Sequence, residues 1–521
     1  MKKIIIILSI LFTFPAFSQS VIDVEGDVSG VWSADTIRVI GNLQLSQNES
    51  LTIMPRVVIK FMGFYRFQAN GNLLAKGLEN DSIIFTVADT LGFYEADTCA
   101  GGWNGFVMIN QPEQADSTIF EYCKFEYSKT DTLFGHGGVF YLENFSKVRF
   151  SNCNFSHNSS FYNGGSMYLI NSGIVIKNSH FSHNKAGDEI HWGYGGAICG
   201  VRSNVKIYRN VFCNNMATGI GGACSFEFNN ATCDANIFEE NFAPLGGALG
   251  FLRTTEGGLI SNNLINNNES TFFGGAIALV SASPLLINNT ITNNRTIYGG
   301  GLYCNEGSCP KIYNSIFWGN QAAAGYGRQV YILDGLSAPA FFNCIFEHGG
   351  WDFSGAGFTG TYLSCTEENP LFDISGSFPF APCEESPCID MGYKDSFELN
   401  IPNLDLAGKN RICNQMIDIG AYEFQWTSSA DFSIDNYYSL LTLTYFSGHH
   451  KLLLTTFVEN AENFTLEVYN IKGQLVSISP LGWLEKGQQE IWISNLNIPK
   501  GIYLGRLNSY HGKKSAKFLV F

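Results

Sequence analysis

The sequence predicts an all-β chain in which a parallel β-helix is followed by a small β-sandwich. Composition is the first indication, because charged residues make up only 15% of the 521 positions while glycine occurs 55 times and aromatic residues reach 14%. Such a composition is typical of many short strands joined by tight turns. The second indication is a repeat of about 27 residues through the middle of the chain. The third is apolar alternation in short segments of the C-terminal tail.

The first 18 residues are predicted to be a signal peptide. Lys2 and Lys3 precede an apolar run, and Ala16 and Ser18 stand at positions −3 and −1 of a cleavage site. The apolar run is shorter than the ~20 residues that span a bilayer as a helix, and no later stretch reaches that length, so no transmembrane segment is expected in the mature chain. Export to an oxidising compartment permits disulfides among the 14 cysteines.

The charge balance argues against a nucleic-acid partner. The chain carries 31 Lys and Arg against 46 Asp and Glu, a net charge of −15. Proteins that bind nucleic acid usually present a clustered basic face to the phosphate backbone. The sequence also contains no recognised cofactor motif, and none is expected.

Gly-Gly pairs mark one end of each repeat. The residues two and four positions after each pair are mostly apolar and the position between them varies, which is the period of two typical of a strand. A coil of about 27 residues holds about three short strands, whereas a propeller blade needs roughly 40 residues or more. We therefore predict stacked coils. The first glycines of the pairs are Gly137, Gly164, Gly195, Gly221, Gly246, Gly274 and Gly299.

A column of asparagines keeps the same spacing, each three residues after a phenylalanine or isoleucine. At a turn, asparagine tolerates a left-handed backbone. Amides stacked in register can also donate to and accept from the coil above, which satisfies buried polar groups. We therefore interpret this column as a structural ladder. Its members are Asn158, Asn184, Asn215, Asn241, Asn268, Asn294 and Asn320.

Motifs of the N-terminal half resemble a known class of exported proteins. The segments Leu51–Pro55, Val58–Phe61, Gly71–Gly77 and Gly102–Gly105, followed by the repeats, resemble bacterial right-handed parallel β-helix proteins related to polymorphic outer-membrane adhesins. The resemblance implies a right-handed β-helix with a pectin lyase-like fold. Its expected parts are an N-terminal cap and first coils over residues 19–110 and β-helix repeats over residues 111–365.

The repeat fades after Asn320, and the composition changes. Segments Ser386–Asp390, Asp405–Arg411 and Asp418–Glu423 are similar to the choice-of-anchor region that closes such β-helices. This resemblance implies a closing region over residues 366–424, whose acidic and arginine side chains are expected to form ion pairs at cap positions. The polar residues 425–440 are expected to be a linker.

The tail contains six to seven short apolar segments separated by turn residues, which predicts a small β-sandwich. Segments Val468–Gln474, Leu496–Tyr503 and Gly512–Phe518 resemble the type IX secretion sorting domain of Bacteroidota. The resemblance implies a sorting domain over residues 441–521, passage across the outer membrane by the type IX secretion machinery, and a secreted or cell-surface location. The candidate sorting-signal residues are Gly473, Gly501, Tyr503 and Lys517.

Candidate ligand contacts lie on an insertion and on outward strand positions. The longest repeat spacing holds an insertion that must bulge from its coil, either as a binding loop or as an ordinary surface loop. Two stacked tyrosines can offer faces to a sugar ring, or can be ordinary outward residues. His157 and His183 are coil neighbours that can bind a metal with a third donor, or can simply be solvated. The candidate ligand-contact residues are Asp188, Glu189, His191, Trp192, Tyr141 and Tyr168.

The sequence places no pair of carboxylates where a catalytic site on a β-helix needs them. Polysaccharide lyases and glycoside hydrolases on β-helices need several carboxylates close together on one outward face. Glu143 and Glu227 share a column, but three coils of ~4.8 Å each separate them by about 14 Å. We therefore predict a secreted or cell-surface protein without catalysis that contacts glycans or a host or cell surface in adhesion. The alternative is a polysaccharide lyase or glycoside hydrolase.

The pairing of the cysteines stays open at this point. Cys123 and Cys153 occupy matching places in successive repeats, so a cross-coil bridge is one option. Bridges Cys304–Cys309 and Cys383–Cys388, closing short loops, are others.

Overall fold

A computed structural model of the chain describes residues 20–425 and 441–520, with short gaps. The gaps are residues 96–97, 111–116, 132–134, 255–256, 375, 377, 394–398, 400, 414–415, 447–450, 459–460, 471–473, 495–497 and 510–512. The predicted signal peptide lies outside the described residues. The chain divides into two compact units, the first ending at Gln425. No described segment forms an apolar helix of membrane-spanning length.

The first unit is a right-handed parallel β-solenoid of about 12 turns, which confirms the predicted fold class. Each full coil runs through three stacked strands, and a short fourth strand is added in the middle coils. The first stack follows the Gly-Gly pairs. Its strands are Phe67–Ala69, Phe106–Ile109, Phe140–Glu143, Met167–Ile170, Ile198–Val201, Cys224–Glu227, Leu249–Leu252, Ile277–Val280, Leu302–Asn305, Val330–Ile332 and Phe353–Gly355.

The remaining stacks follow in chain order within each coil. The second stack comprises Gly30–Trp32, Ser50–Ile53, Asn72–Lys76, Thr118–Glu121, Val148–Ser151, Gly173–Lys177, Asn204–Tyr208, Thr232–Asp234, Leu259–Ser261, Leu285–Ile287, Lys311–Tyr313, Ala340–Phe342 and Thr361–Leu363. The third stack comprises Val21–Asp27, Thr36–Leu45, Val58–Phe61, Ile83–Val87, Cys123–Glu126, Asn154–Ser156, His180–Ser182, Val211–Cys213, Ile237–Glu239, Leu264–Asn266, Thr290–Thr292, Ile316–Trp318 and Ile345–Phe346. The fourth comprises Ser159–Ser160, Lys185–Ala186, Met216–Ala217, Phe242–Leu245 and Glu269–Phe273.

Successive coils lie directly over one another and enclose an apolar interior. Strand Met167–Ile170 pairs in parallel with the equivalent strands of the coils before and after it, without a register shift. Inward phenylalanines therefore form a column, in which the ring centroids of Phe181 and Phe212 are 4.8 Å apart and those of Phe212 and Phe238 are 5.0 Å apart. This column is fully buried. Repeating large side chains at one place thus fills the core by stacking.

The Gly-Gly pairs are required by two different constraints. The first glycine of each pair has a positive φ, which is 71° at Gly221, and glycine adopts this conformation at little cost. The second has no room for a side chain, because a Cβ on Gly222 would collide with the carbonyl oxygen of Gly247 in the next coil. The pair therefore combines a sharp turn with close stacking of coils.

The seven predicted asparagines lie in one vertical file, here called the main ladder. The backbone N–H and Nδ2 of Asn184 both donate to Oδ1 of Asn215, at 3.1 and 2.9 Å, and Nδ2 also donates to the Phe155 carbonyl at 2.9 Å. Asn215 makes the same bonds to Asn241. The left-handed residue of each turn is, however, the one before the ladder asparagine. These residues are His157, His183, Asn214, Glu240, Asn267 and Asn293, with φ between 54° and 56°, and Gly319, with φ 67°.

A second ladder was missed from sequence. In it, Asn210 donates through its backbone N–H and Nδ2 to Oδ1 of Asn236, at 2.9 and 3.1 Å, and Asn236 repeats the pattern with Asn263. Each member lies two residues before the inward phenylalanine or isoleucine of its coil. Because serines as well as asparagines occupy this column, the sequence shows no single repeated motif there. Its members are Ser179, Asn210, Asn236, Asn263, Asn289 and Ser315.

The described residues between 388 and 424, here called the strap, lie along the side of the solenoid. The guanidinium of Arg209 donates to the carbonyls of Asp405 and Leu406 at 3.1 and 3.3 Å, and Asn288 Nδ2 donates to the Asp418 carbonyl at 2.8 Å. Nearer the C-terminal end, Asn314 Nδ2 donates to the Tyr393 carbonyl at 3.1 Å. The strap thus spans several coils laterally, which differs from the expected position of its charged residues at an end cap.

The second unit consists of two antiparallel sheets. One contains Leu441–Phe446, Lys451–Val458 and Gly487–Ile493, and the other contains Leu475–Leu484, Glu462–Asn470, Gly501–Asn508 and Lys513–Val520. Leu452, Leu454, Leu466, Val468 and Leu507 belong to one buried core. This arrangement agrees with the predicted small β-rich domain.

Candidate functional site

Two irregular loops depart from the repeat, and a groove lies between them. Residues 88–95 follow strand Ile83–Val87, and residues 187–193 fill the longest repeat spacing. Neither loop fits the period of the coil, so both must protrude. The groove has a volume of about 130 Å³ and is lined from four successive coils. We call it the aromatic groove and define it by Phe93, Lys129, Ser159, Phe161, Lys185 and Asp188.

The base of the groove is formed by residues of successive coils in register. Lys129 pairs with Ser159, and Ser159 pairs with Lys185, as parallel neighbours. Lys129 is 9% exposed, and its Nζ donates to the carbonyls of Phe93 and Glu95 at 2.8 and 2.7 Å. Lys129 therefore fixes the first loop, while the exposed Lys185 presents its ammonium to solvent beside Ser159.

Stacked rings flank one side of this base. Phe93 packs edge-on against Tyr127 with ring centroids 5.4 Å apart, Tyr127 stacks on His157 at 5.4 Å, and His157 stacks on His183 at 5.0 Å. Burial, followed by the proximity of His183, lowers the pKa of His157, so this imidazole favours its neutral form. Among the described residues, no group of three or more His, Cys, Asp or Glu side chains is placed to hold a metal ion.

The second loop forms the opposite side and is held by Asp188. Its Oδ1 accepts the backbone N–H groups of Ile190 and His191 at 2.8 and 2.7 Å, and it lies 2.9 Å from Nδ1 of His191. The His191 ring in turn contacts Phe161, with centroids 4.4 Å apart. Although desolvation acts in the opposite direction, hydrogen bonds from His191 and Ile190 lower the pKa of Asp188 below its ordinary value. A carboxylate is therefore fixed at the groove.

Only some of the contact residues predicted from sequence lie at the aromatic groove. Asp188 lines the aromatic groove, and His191 and Glu189 belong to its loop. Trp192, in the same loop, is 69% exposed. Tyr141 donates its hydroxyl to Oε2 of Glu143 at 2.9 Å.

Tyr168 is poorly placed for sugar stacking. It is only 9% exposed, and its ring stacks on His136 with centroids 4.5 Å apart. Its other ring neighbour is Tyr141 at 5.7 Å. These contacts leave Tyr168 little surface for a ligand, so we do not include it in the groove.

Sequence reasoning missed Phe93, Lys129, Phe161 and Lys185. A usable signal exists, because residues 88–95 and 187–193 interrupt the repeat at the same place in the coil, between the third stack and the next first-stack strand. The two loops are three coils apart, and loops inserted at equivalent places of a solenoid lie on the same side of it.

The carboxylates weighed for catalysis are held by neighbours. Glu143 accepts the Tyr141 hydroxyl, and Glu227 forms an ion pair with Arg253. A denser group lies under the strap, where Arg411 and Glu423 form an ion pair at 3.4 Å with both side chains fully buried. Asp405 and Asp418 are also buried beside them. A polymeric substrate cannot reach this group, so its arrangement indicates a structural role.

The candidate sorting-signal residues lie in the second unit. Gly501 and Tyr503 belong to strand Gly501–Asn508, and the Tyr503 hydroxyl donates to the Pro499 carbonyl at 2.8 Å. Lys517 lies on the final strand, Lys513–Val520. Gly473 lies outside the described residues.

Comparison with known families agrees with both units. The right handed beta helix region matches residues 100–250, and the secretion system C-terminal sorting domain matches residues 452–521. No curated protein matches the chain. The chain is thus a secreted or cell-surface β-helix protein whose tail is handled by the type IX secretion machinery.

Proposed function

We propose that this protein binds glycans without catalysis through the aromatic groove and serves adhesion. The observation that carries the proposal is the convergence of ring faces and fixed polar groups at one place. Tyr94 and Phe161 bring exposed ring surface to the groove beside Lys185 and Asp188, whereas Phe93 is only 4% exposed and belongs to the wall. Ligand sites combine apolar or aromatic surface with a few placed polar groups, and a sugar ring needs both, because its C–H faces pack on rings while its hydroxyls hydrogen-bond.

Exposed aromatic side chains extend the groove beyond its base. Tyr94 is 79% exposed and Trp192 is 69% exposed, each on one of the two loops. Large exposed rings cost solvation free energy unless a partner covers them, and tyrosine and tryptophan are the residues most enriched where partners bind. Because these rings lie on the two loops that border the groove, they support a ligand longer than one sugar unit.

The second loop is held in place before any ligand binds. The backbone N–H of Gly193 donates to Oγ1 of Thr218 at 2.8 Å, and that hydroxyl donates to the His191 carbonyl at 2.8 Å. The backbone N–H of Tyr194 donates to Oδ1 of Asn163 at 2.9 Å. Because these bonds already order the loop, binding would lose less conformational entropy.

The test is a glycan array probed with the exported protein, followed by titration of the best ligand. Trp192→Ala and Lys185→Ala should each weaken binding by about tenfold, since each removes one contact worth roughly 1.4 kcal/mol. Trp351→Ala is the matched control, because Trp351 is 93% exposed but lies in the short helix Gly349–Asp352 outside the groove.

Two results would contradict the proposal. Wild-type protein that binds no glycan above background, or groove variants that bind as well as the control, would exclude the groove as a glycan site. An assay for unsaturated uronate products or new reducing ends, run on the bound glycans, tests the absence of catalysis. Product formation would favour the lyase or hydrolase alternative.

A further inference from the structure

The second ladder is flanked at both ends by a pair of cysteines in successive coils. On one side, the backbone N–H of Cys153 donates to Oγ of Ser179 at 3.0 Å, and Cys123 precedes Cys153 in the same column. On the other side, Cys344 follows Ser315, and Cys365 lies one coil beyond Cys344. Cysteine thiols therefore occupy the positions of this column beyond both ends of the second ladder.

The members of each pair are direct neighbours across the parallel strands. Phe125 is paired in register with Phe155, which places Cys123 opposite Cys153 two residues earlier. Phe342 pairs with Leu363, and Ile345 pairs with Thr366. Cys344 and Cys365 lie between these two pairs, so they are opposite each other. Neighbouring strands lie ~4.8 Å apart, within the Cα separation of roughly 4.4–6.8 Å that a disulfide bridges. The structure holds all four cysteines as thiols, and burial, followed by the neighbouring thiol of the pair, raises the pKa of Cys123 and of Cys344.

The other pairings considered from sequence have different geometry. Cys304 is fully buried in an inward column, whereas Cys309 is exposed and its Sγ lies 3.6 Å from the Leu336 carbonyl. Cys388 is buried with its Sγ 3.8 Å from the Pro370 carbonyl, and Cys383 is half-buried. Neither pair occupies matching positions of two successive coils.

We propose that Cys123–Cys153 and Cys344–Cys365 are oxidised to disulfides in the exported protein, each joining one coil to the next. In each pair the two S–H bonds break and one S–S bond forms. The two electrons and two protons pass to the disulfide of an exported thiol-oxidising protein, which is reduced to a dithiol. The chain is exported, so it meets the oxidising conditions under which such bonds persist.

The competing role for these thiols is that of reduced ladder members. Cys153 Sγ lies 3.5 Å from the Phe120 carbonyl of the preceding coil. Asn210 Nδ2 makes the equivalent contact in the ladder, where it donates to the Ile176 carbonyl at 3.1 Å. Cys344 Sγ lies 3.6 Å from the Ile312 carbonyl in the same way. A thiol is a weak donor, so oxidation loses little at these carbonyls, whereas a bridge removes freedom from the unfolded chain.

The experiment is peptide mapping of the protein isolated after export. The protein is unfolded in alkylating agent without reductant, digested and analysed by mass spectrometry. The expected result is two linked peptide pairs, each two hydrogens lighter than its reduced components, with Cys199, Cys224 and Cys233 alkylated as internal controls. Alkylation of all four cysteines would overturn the proposal, and alkylation of one pair would overturn it for that pair.

A second measurement tests the effect on stability. Reductant present during unfolding should lower the midpoint of thermal unfolding of the wild-type protein. The same reductant should leave unchanged a variant with Cys123→Ser, Cys153→Ser, Cys344→Ser and Cys365→Ser. A control carrying Cys199→Ser and Cys233→Ser should keep the wild-type response to reductant. Equal midpoints for wild-type protein with and without reductant would contradict stapling of the coils.

Discussion

The main ladder and the strap both bury polar side chains, but they satisfy them differently. In the ladder, the neutral amide of Asn215 accepts from one coil and donates to the next, and its neighbours repeat the pattern. Under the strap, three carboxylates surround the single guanidinium of Arg411. Arg411 Nε and Glu423 Oε1 are buried and have no hydrogen-bond partner among the described residues. The side-chain amides of the main ladder are therefore all hydrogen-bonded, while the buried ion pair of the strap leaves two side-chain atoms without a partner among the described residues.

This difference makes one region insensitive to pH and the other sensitive. Amides do not titrate, so the ladder contributes equally at any ordinary pH. Burial raises the pKa of Asp418 to about 6, and burial together with the charge of Asp418 raises that of Glu423 to about 8. Because the single Arg411 guanidinium does not offset the burial of both groups, Asp418 and Glu423 together retain a proton near neutral pH.

The largest effect is expected from breaking the ladder with Asn215→Ala. The change leaves the backbone N–H of Asn184 and the carbonyl of Phe181 buried without their partners. Each such group costs roughly 1–3 kcal/mol, so the free energy of unfolding of the solenoid should fall by about 2–6 kcal/mol. Denaturant titration followed by tryptophan fluorescence measures this loss.

Asn214→Gly is the control for the ladder variant. Asn214 is exposed and has a φ of 56°, a conformation that glycine adopts readily, so the free energy of unfolding should change by less than about 0.5 kcal/mol. If Asn215→Ala loses no more stability than Asn214→Gly, the amide ladder does not hold the coils together.

The main ladder follows from the sequence and the strap contacts do not, while the groove was missed although the insertions that form it interrupt the repeat visibly. Asn184, Asn215 and Asn241 recur at a fixed spacing, and a solenoid converts fixed spacing into contact. Arg411 instead donates to Oδ1 of Asn262, 149 residues away, and no periodicity relates the two. The groove depends on two insertions that meet only because they enter equivalent places of nearby coils.

A smaller loss is expected from Gly222→Ala, which tests the close stacking that the ladder needs. The added Cβ would collide with the carbonyl oxygen of Gly247 and with the backbone of Phe242, which cannot rotate away. Overpacking of this kind costs about 1–3 kcal/mol. The same denaturant titration measures it.

Gly335→Ala is the matched control for this substitution. A Cβ on Gly335 meets no heavy atom within 4 Å, so alanine there should be neutral or slightly stabilising. A Gly222→Ala variant as stable as the Gly335→Ala variant would show that neighbouring coils can separate locally without loss.

The smallest effect near neutral pH, and the most informative about the strap, is expected from Glu423→Gln. The folded-state pKa of Glu423, about 8, lies above its ordinary value of 4.5, so the fold favours the protonated form. Its contribution to stability is fully present below the ordinary pKa and is lost as the pH rises through about 8. Glutamine keeps a neutral group at that place, so the variant should lose less stability than the wild type between about pH 5 and pH 9.

Thermal unfolding midpoints at about pH 5, 7 and 9 measure this difference in slope. Glu269→Gln is the control, because Glu269 is 42% exposed and pairs with Arg295 on the surface. An exposed ion pair contributes little to stability, so this variant should keep the pH profile of the wild type. Asp418, with its pKa raised to about 6, should keep a residual slope at lower pH in the Glu423→Gln variant. Parallel profiles for wild type and Glu423→Gln would mean that Glu423 is ionised in the fold and that Arg411 compensates it fully. The strap would then satisfy its buried polar groups as completely as the ladder does.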